Sequence, residues 1–233
     1  MKKEFTFNEK EHYYEFNGKR LYGITSVISV IAKPALIYWA VNQTIEFIQE
    51  NIIGRLFKHP LPLKEENDQF WKEAKEVHRK KKEKAGDIGA EVHNAIEQWI
   101  KDGKEPKLSE EGMKMFNNFK GWAEKNKVKF LSSEQMIYSE KMWIAGTADL
   151  IIEIDGKKYV ADIKTSARIY PENFYQMAGY RLILEDMGKK DFLGAVVIRI
   201  GKDGKFDEEK DVQFRYDYET DKLNSDLFSD IMD

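Results

Sequence analysis

Two apolar runs, Leu150-Ile151-Ile152 and Tyr159-Val160-Ala161, stand either side of Asp155-Gly156. An Asp-Gly pair favours a two-residue hairpin turn, because both positions tolerate positive φ. The spacing predicts two adjacent antiparallel strands, over 146–154 and 157–164. Their apolar character marks them as buried, so other elements must cover them.

The rest of the second half follows the same period. Further strands are expected near 134–140, 193–200 and 210–216. Between them, Pro171 to Met187 reads as a helix stopped by Gly188. The first half differs. Tyr13, Tyr14 and Phe16 lead into Asn17-Gly18, a second hairpin signal over 12–22. Thr25 or Ser26 is expected to cap a short helix running through Ile31. Pro34 opens another helix to about Ile53, with Trp39, Ile45 and Phe47 facing a core. Residues 58–65 form a proline-containing loop. A long helical stretch covers 66–101, with a break expected near Gly86 and Gly89. Within it Ile88, Val92, Ala95, Ile96 and Trp99 share one face. Ser109 starts a helix lined by Met113, Phe116, Phe119 and Trp122, and a last short helix falls near 219–230. The expected fold is α/β: a mixed central β-sheet flanked by helices, with a helical N-terminal subdomain. We divide a single domain, 1–233, into a hairpin and helical part, 1–87, and a core, 88–233.

Charged residues end the buried strands. Asp162 and Lys164 project to one face of their strand while Ile163 points inward. Asp149 begins the partner strand after Gly146-Thr147-Ala148. Asp-x-Lys is common on solvated strands, but charges at the ends of apolar strands need partners or a metal. Carboxylates suit hard ions such as Mg2+ or Mn2+. Such an ion can polarise a phosphoryl oxygen and supply hydroxide near neutral pH. Lys164 can orient the attacking water or stabilise the charge that develops. His93 lies on the apolar helix upstream, with Glu97 one turn further along the same face. A lone histidine there commonly belongs to a core; its other reading is a nitrogen ligand for the carboxylate site. Gln176 and Tyr180, four residues apart, share a helix face after Lys164, and Thr165 and Ser166 follow the strand where a phosphate could be held.

Composition removes several alternatives. The chain has no cysteine, which excludes disulfides, cysteine zinc sites and cysteine nucleophiles. Net charge is -3, so any nucleic-acid contact must use a local basic patch. The densest run is Arg79-Lys80-Lys81-Lys82, with Lys72 and Lys75 before it. It is either a solvated helix face or a phosphate-binding surface. Trp71, Tyr38 and Trp39 could stack on bases or fill a core; for Trp39 we favour the core. Met1-Lys2-Lys3 is followed by acids rather than an apolar run, and Lys33-Pro34 interrupts the most apolar region. No membrane contact and a cytoplasmic location are therefore expected, the host cytoplasm if the chain is viral.

Gly89-x-x-x-His93, Gly146-Thr-Ala-Asp149, Asp162-Ile-Lys164 and Gln176-x-x-x-Tyr180, in that order, resemble the PD-(D/E)XK nuclease superfamily. More narrowly they are similar to its RecB-type exonuclease branch, which includes phage exonucleases and the mitochondrial genome maintenance exonuclease. The resemblance covers Gly89 to Tyr180. It implies a restriction-endonuclease-like fold. It makes Asp149, Asp162, the Ile163 carbonyl and His93 ligands of Mg2+ or Mn2+. Lys164 becomes the catalytic lysine, with Gln176 and Tyr180 the helix motif of that branch. Ala148 stands where the family name suggests proline. The four-cysteine cluster of some relatives is impossible here.

The implied activity is a metal-dependent DNA exonuclease, a phosphodiester hydrolase acting at single-stranded or frayed ends, in recombination, repair or phage replication. No helicase motif is present, so unwinding would fall to a helicase or recombination partner. The alternatives are a structure-specific endonuclease on the same fold and a non-catalytic nucleic-acid-binding module.

Overall fold

A computed structural model of the protein describes residues 4–30, 34–56, 64–189 and 191–215. The chain begins with three short strands, β1 (Phe5–Asn8), β2 (Tyr13–Phe16) and β3 (Lys19–Gly23). Asn17 and Gly18 between the last two have φ of 48° and 76°, as a tight hairpin turn requires. Three helices follow: α1 (Ile24–Ile28), α2 (Pro34–Leu56) and α3 (Lys64–Asp102). Next come α4 (Glu110–Lys125), β4 (Lys129–Ser139), β5 (Ile144–Ile154), β6 (Lys157–Lys164), α5 (Pro171–Asp186), β7 (Phe192–Arg199), α6 (Glu208–Asp211) and β8 (Val212–Arg215).

The fold is mixed α/β, with an eight-stranded mixed sheet flanked by helices. The β5–β6 hairpin turns through Asp155 and Gly156, whose φ values are 50° and 76°. From β6 the chain crosses through α5 and returns as β7, parallel to β6, with Lys164 opposite Arg199. The first strands also join this sheet, because β3 pairs parallel to β5 at Tyr22↔Ile144 and Gly23↔Ala145.

The pairing around β5 shapes the site. Along one edge β4 runs the whole length of β5, from Ser139↔Ile144 to Lys129↔Glu153. Both β3 and β6 must then share the opposite edge. There β3 takes residues 144–145 and β6 takes residues 150–154. Residues 146–149 are left between them, with no strand beside them on that edge among the described residues.

The chain forms two compact units. The first comprises Met1–Ile31 and Glu91–Asp233, the second Ala32–Ala90. The hairpin therefore belongs with the core, not with the helical part to which 1–87 assigned it. Helix α3 runs unbroken past Gly86 and Gly89, and its residues from Glu91 onward belong to the first unit. In the first unit α5 and α1 cover one sheet face through Ile24, Ile28, Met177, Tyr180 and Ile183. Helix α4 is capped by Ser109, whose side chain accepts from the Gly112 N–H at 3.1 Å. Its Phe116 and Phe119 meet Trp99 edge-on. In the second unit Phe47 of α2 stacks on Phe70 of α3.

Several expectations on the short elements are corrected. Gly23, not Thr25 or Ser26, stands at the start of α1, which makes no side-chain cap bond. Trp39 and Ile45 are 36% and 46% exposed, so neither fills a core. Most of the 58–65 loop and the helix expected at 219–230 fall outside the described residues.

Candidate metal and phosphate site

The edge of β5 left open between β3 and β6 is where the charged strand ends meet. Backbone pairing of β5 with β6 stops at Leu150↔Ala161. One step on, the Asp149 carboxylate takes over: its Oδ2 accepts the Ile163 N–H at 2.8 Å. A residue's N–H and C=O leave a strand by the same edge, so the Ile163 carbonyl opens towards Asp149 too. His93 Nδ1 stands 3.6 Å from that same Oδ2.

Asp162 is 1% exposed. Its Oδ1 accepts from Gln176 Nε2 at 3.1 Å. Its Oδ2 lies 2.5 Å from Lys164 Nζ, a buried ion pair. Lys164 Nζ also donates to Gln176 Oε1 at 2.9 Å. The second Nε2 hydrogen of Gln176 reaches the Tyr180 hydroxyl at 2.8 Å. Tyr180 in turn donates to the Thr147 carbonyl at 2.7 Å. The Gln176 amide is thus satisfied on every side. Gln176 and Tyr180 position Lys164 and Asp162 and have their polar atoms committed to the protein. Gly146 makes room for this: a Cβ there would sit 2.7 Å from Cε1 of Tyr180.

The titrations follow from crowding. Burial pushes the Asp149 carboxyl well above its ordinary range, and the Asp162 charge adds to it, against the opposing pull of Lys164. Burial lowers His93, outweighing the Asp162 charge, which favours the imidazolium. Its imidazole is therefore neutral near pH 7, the form that binds a metal. For Lys164, burial favours the free amine, but Asp162 and Asp149 together hold it as ammonium with a raised pKa. Burial keeps the Tyr180 hydroxyl protonated, with Asp162 and Asp149 acting in the same direction.

Asp149, Asp162, Lys164, Gln176, Tyr180, Ile163 and His93 all gather at this point. Among the described residues, however, no three His, Asp or Glu side chains form a ready-made metal cage. The donor chemistry still suits a hard divalent ion. Asp162 Oδ2 is buried and paired with the Lys164 ammonium, leaving carboxylate lone pairs that an ion could take. Beside it are a second carboxylate, a neutral imidazole and a backbone carbonyl.

The residues expected to contact nucleic acid have these neighbours. The Ser166 hydroxyl donates to the Arg168 carbonyl at 2.7 Å, so its proton is committed within the loop. Thr165 is half-buried just past the strand. Lys81 is tied to Gln43 of α2 at 2.5 Å, and Lys80 lies 3.9 Å from Glu76. Arg79 and Lys82 are exposed.

Three features escaped the sequence reading. Tyr14 of β2 bonds the Thr147 hydroxyl at 2.8 Å, bringing the first hairpin to the site. Glu134 sits in β4 with a positive φ of 48° and a pKa raised by burial, then by Glu97. Arg199 is buried against Asp211 at 2.7 Å and donates to the Ser166 carbonyl at 3.0 Å, anchoring the loop after β6. A signal for Arg199 did exist: it ends an apolar strand, as Asp162 and Lys164 do.

No protein-family model matches the chain, and no curated protein matches it. Among solved structures, one described as "Crystal structure of SSO0001" is similar at 17% identity with a TM-score of 0.31. That likeness covers 52% of this chain and spans 57% of the other. It bears on neither fold nor function. Among the described residues no helix is long and apolar enough to cross a membrane.

Proposed function

We propose that the protein is a metal-dependent deoxyribonuclease of the PD-(D/E)XK type that hydrolyses phosphodiesters from single-stranded or frayed ends. One observation carries the reading. Asp162 is buried and ion-paired with the Lys164 ammonium, while Asp149 Oδ2 accepts the Ile163 N–H between them and stands 3.6 Å from His93 Nδ1.

Asp149, Asp162, the Ile163 carbonyl and neutral His93 would hold Mg2+ or Mn2+. Such an ion, when bound, polarises a phosphoryl oxygen and brings hydroxide within reach of neutral pH. With Asp162 holding an ion, the Lys164 ammonium paired with it here would be available to face the phosphate. Gln176 keeps that ammonium in place through its Oε1, and Tyr180 keeps the Gln176 amide from turning over. Lys164 then stabilises the negative charge that accumulates on the phosphoryl oxygens. Asp149 binds an ion only when ionised, so its raised pKa makes ion binding strengthen as pH rises.

The test compares wild type with Asp162→Asn and Lys164→Gln on end-labelled linear DNA with Mn2+. Both variants are expected to fall by about a hundredfold or more. Equal degradation by all three would reject the assignment. Covalently closed single-stranded circles separate the two modes of cutting, since an exonuclease leaves them whole.

A further inference from the structure

The exposed cations of α3 are not spread evenly round the helix. At 100° per residue, Trp71, Lys72, Lys75, Arg79 and Lys82 fall within one arc about 100° wide. All five are exposed, Trp71 by 47%. The acids of the same stretch, Glu73, Glu76 and Glu83, lie together on the adjoining arc. Lys80 is on that acidic side, 3.9 Å from Glu76. Lys81 is on the inward side, bonded to Gln43 of α2. Phe70 and Ala74 are buried on the inward side as well. From Trp71 to Lys82 the helix therefore carries a stripe of four positive charges and one indole with no acid inside it, about 16 Å long, and exposed Asp68 stands on the same arc one turn before it. Arg79 reaches sideways to Glu76 and Glu83 at 3.3 and 3.8 Å, exposed pairs that cost little to give up.

We infer that this stripe binds the sugar–phosphate backbone of single-stranded DNA, with Trp71 stacking on a base. This rests on the nuclease reading for its choice of partner. Cations at intervals of three, four and three residues follow a repeating line of phosphates. A flat aromatic at one end suits unpaired bases, whose faces duplex DNA does not offer. A membrane-lying helix would need an apolar band beside its cations, and on this arc α3 has Trp71 alone. The binding residues are therefore Lys72, Lys75, Arg79 and Lys82, and not the contiguous run 79–82.

The experiment measures binding of fluorescent oligo-dT to the full-length protein in EDTA, so that no cleavage occurs, across a salt series. Lys72→Gln, Lys75→Gln, Arg79→Gln and Lys82→Gln should each weaken binding. Each should also flatten the slope of log K against log salt by about 0.7. Trp71→Ala should cost roughly tenfold with the slope unchanged. Lys80→Gln removes the same charge from the acidic side and should match wild type. Equal losses in Lys80→Gln and the stripe variants would overturn the stripe, as would no loss in any of them. Binding of anionic phospholipid vesicles but not oligo-dT would overturn it too. The outcome is separable from the nuclease reading. A wild type that binds oligo-dT through the stripe but never cuts with Mn2+ refutes the enzyme and keeps the stripe. One that cuts with every stripe variant binding normally does the reverse.

Discussion

At the scale of single residues, the site stores unfavourable charge. Asp149 is desolvated beside Asp162, and its raised pKa means folding favours the neutral carboxyl. Its contribution to stability is full below pH 3.8, the ordinary aspartate value, and is lost as pH rises through the higher folded value. At pH 8 without metal, the buried group opposes folding whether it is held charged or protonated. Asp149→Asn keeps an oxygen for the Ile163 N–H and removes the charge. We expect its Tm in EDTA at pH 8 to exceed that of wild type, by about 2–4 °C for each kcal/mol relieved. The same variant should have lost DNA cleavage. A lower Tm would show that the carboxylate is stabilised by something other than a bound ion.

At the scale of elements, the loop from Thr165 to Tyr170 is held by a buried pair in addition to its own Ser166–Arg168 bond. Arg199 joins Asp211 at 2.7 Å and the Ser166 carbonyl at 3.0 Å. Removing one member of a buried pair leaves the other charge unmatched, at a cost of about 3–5 kcal/mol. Arg199→Met should therefore lower the urea midpoint strongly. It should also speed amide exchange at 165–170 more than in α4. Elements of this kind separate what the sequence discloses from what it hides. The β5–β6 hairpin was legible, because Asp155-Gly156 and two apolar runs leave few alternatives. So were Pro171 and Gly188 as the limits of α5. The unbroken α3 was not, since Gly86 and Gly89 cost a helix only about 1 kcal/mol each and packing overrides them. Asp149, Asp162 and Lys164 drew notice as charges in apolar strands, and Gln176 and Tyr180 as a polar pair at helical spacing. Tyr14 was hidden, because its approach depends on a parallel pairing between segments more than a hundred residues apart. Exposed Trp39 and Ile45 show the converse error, apolar type taken as burial.

At the scale of the whole molecule, the first hairpin closes the sheet. β3 occupies part of the same β5 edge as β6, and Phe16 and Leu21 pack over Ala145. Deleting residues 1–23 would uncover Ala145, Tyr138 and Trp143 and the β5 edge together, a known route to association. The truncated chain is expected to aggregate or to lose cooperative unfolding, as seen by light scattering and thermal melting. A monomeric, cooperatively melting product would show that the remaining strands suffice.

The hydrogen bond from the Ile163 amide to Asp149 has a consequence for chain pairing itself. In the ladder that reaches Leu150↔Ala161, the next acceptor for that amide would be the Ala148 carbonyl. The aspartate stands in for a strand and halts the zipper one rung early. An apolar residue at 149 would remove the stopper, and the two backbones would be free to join further and seal the crevice. The acid that is proposed to grip the ion is thus also the wedge that keeps a place open for it.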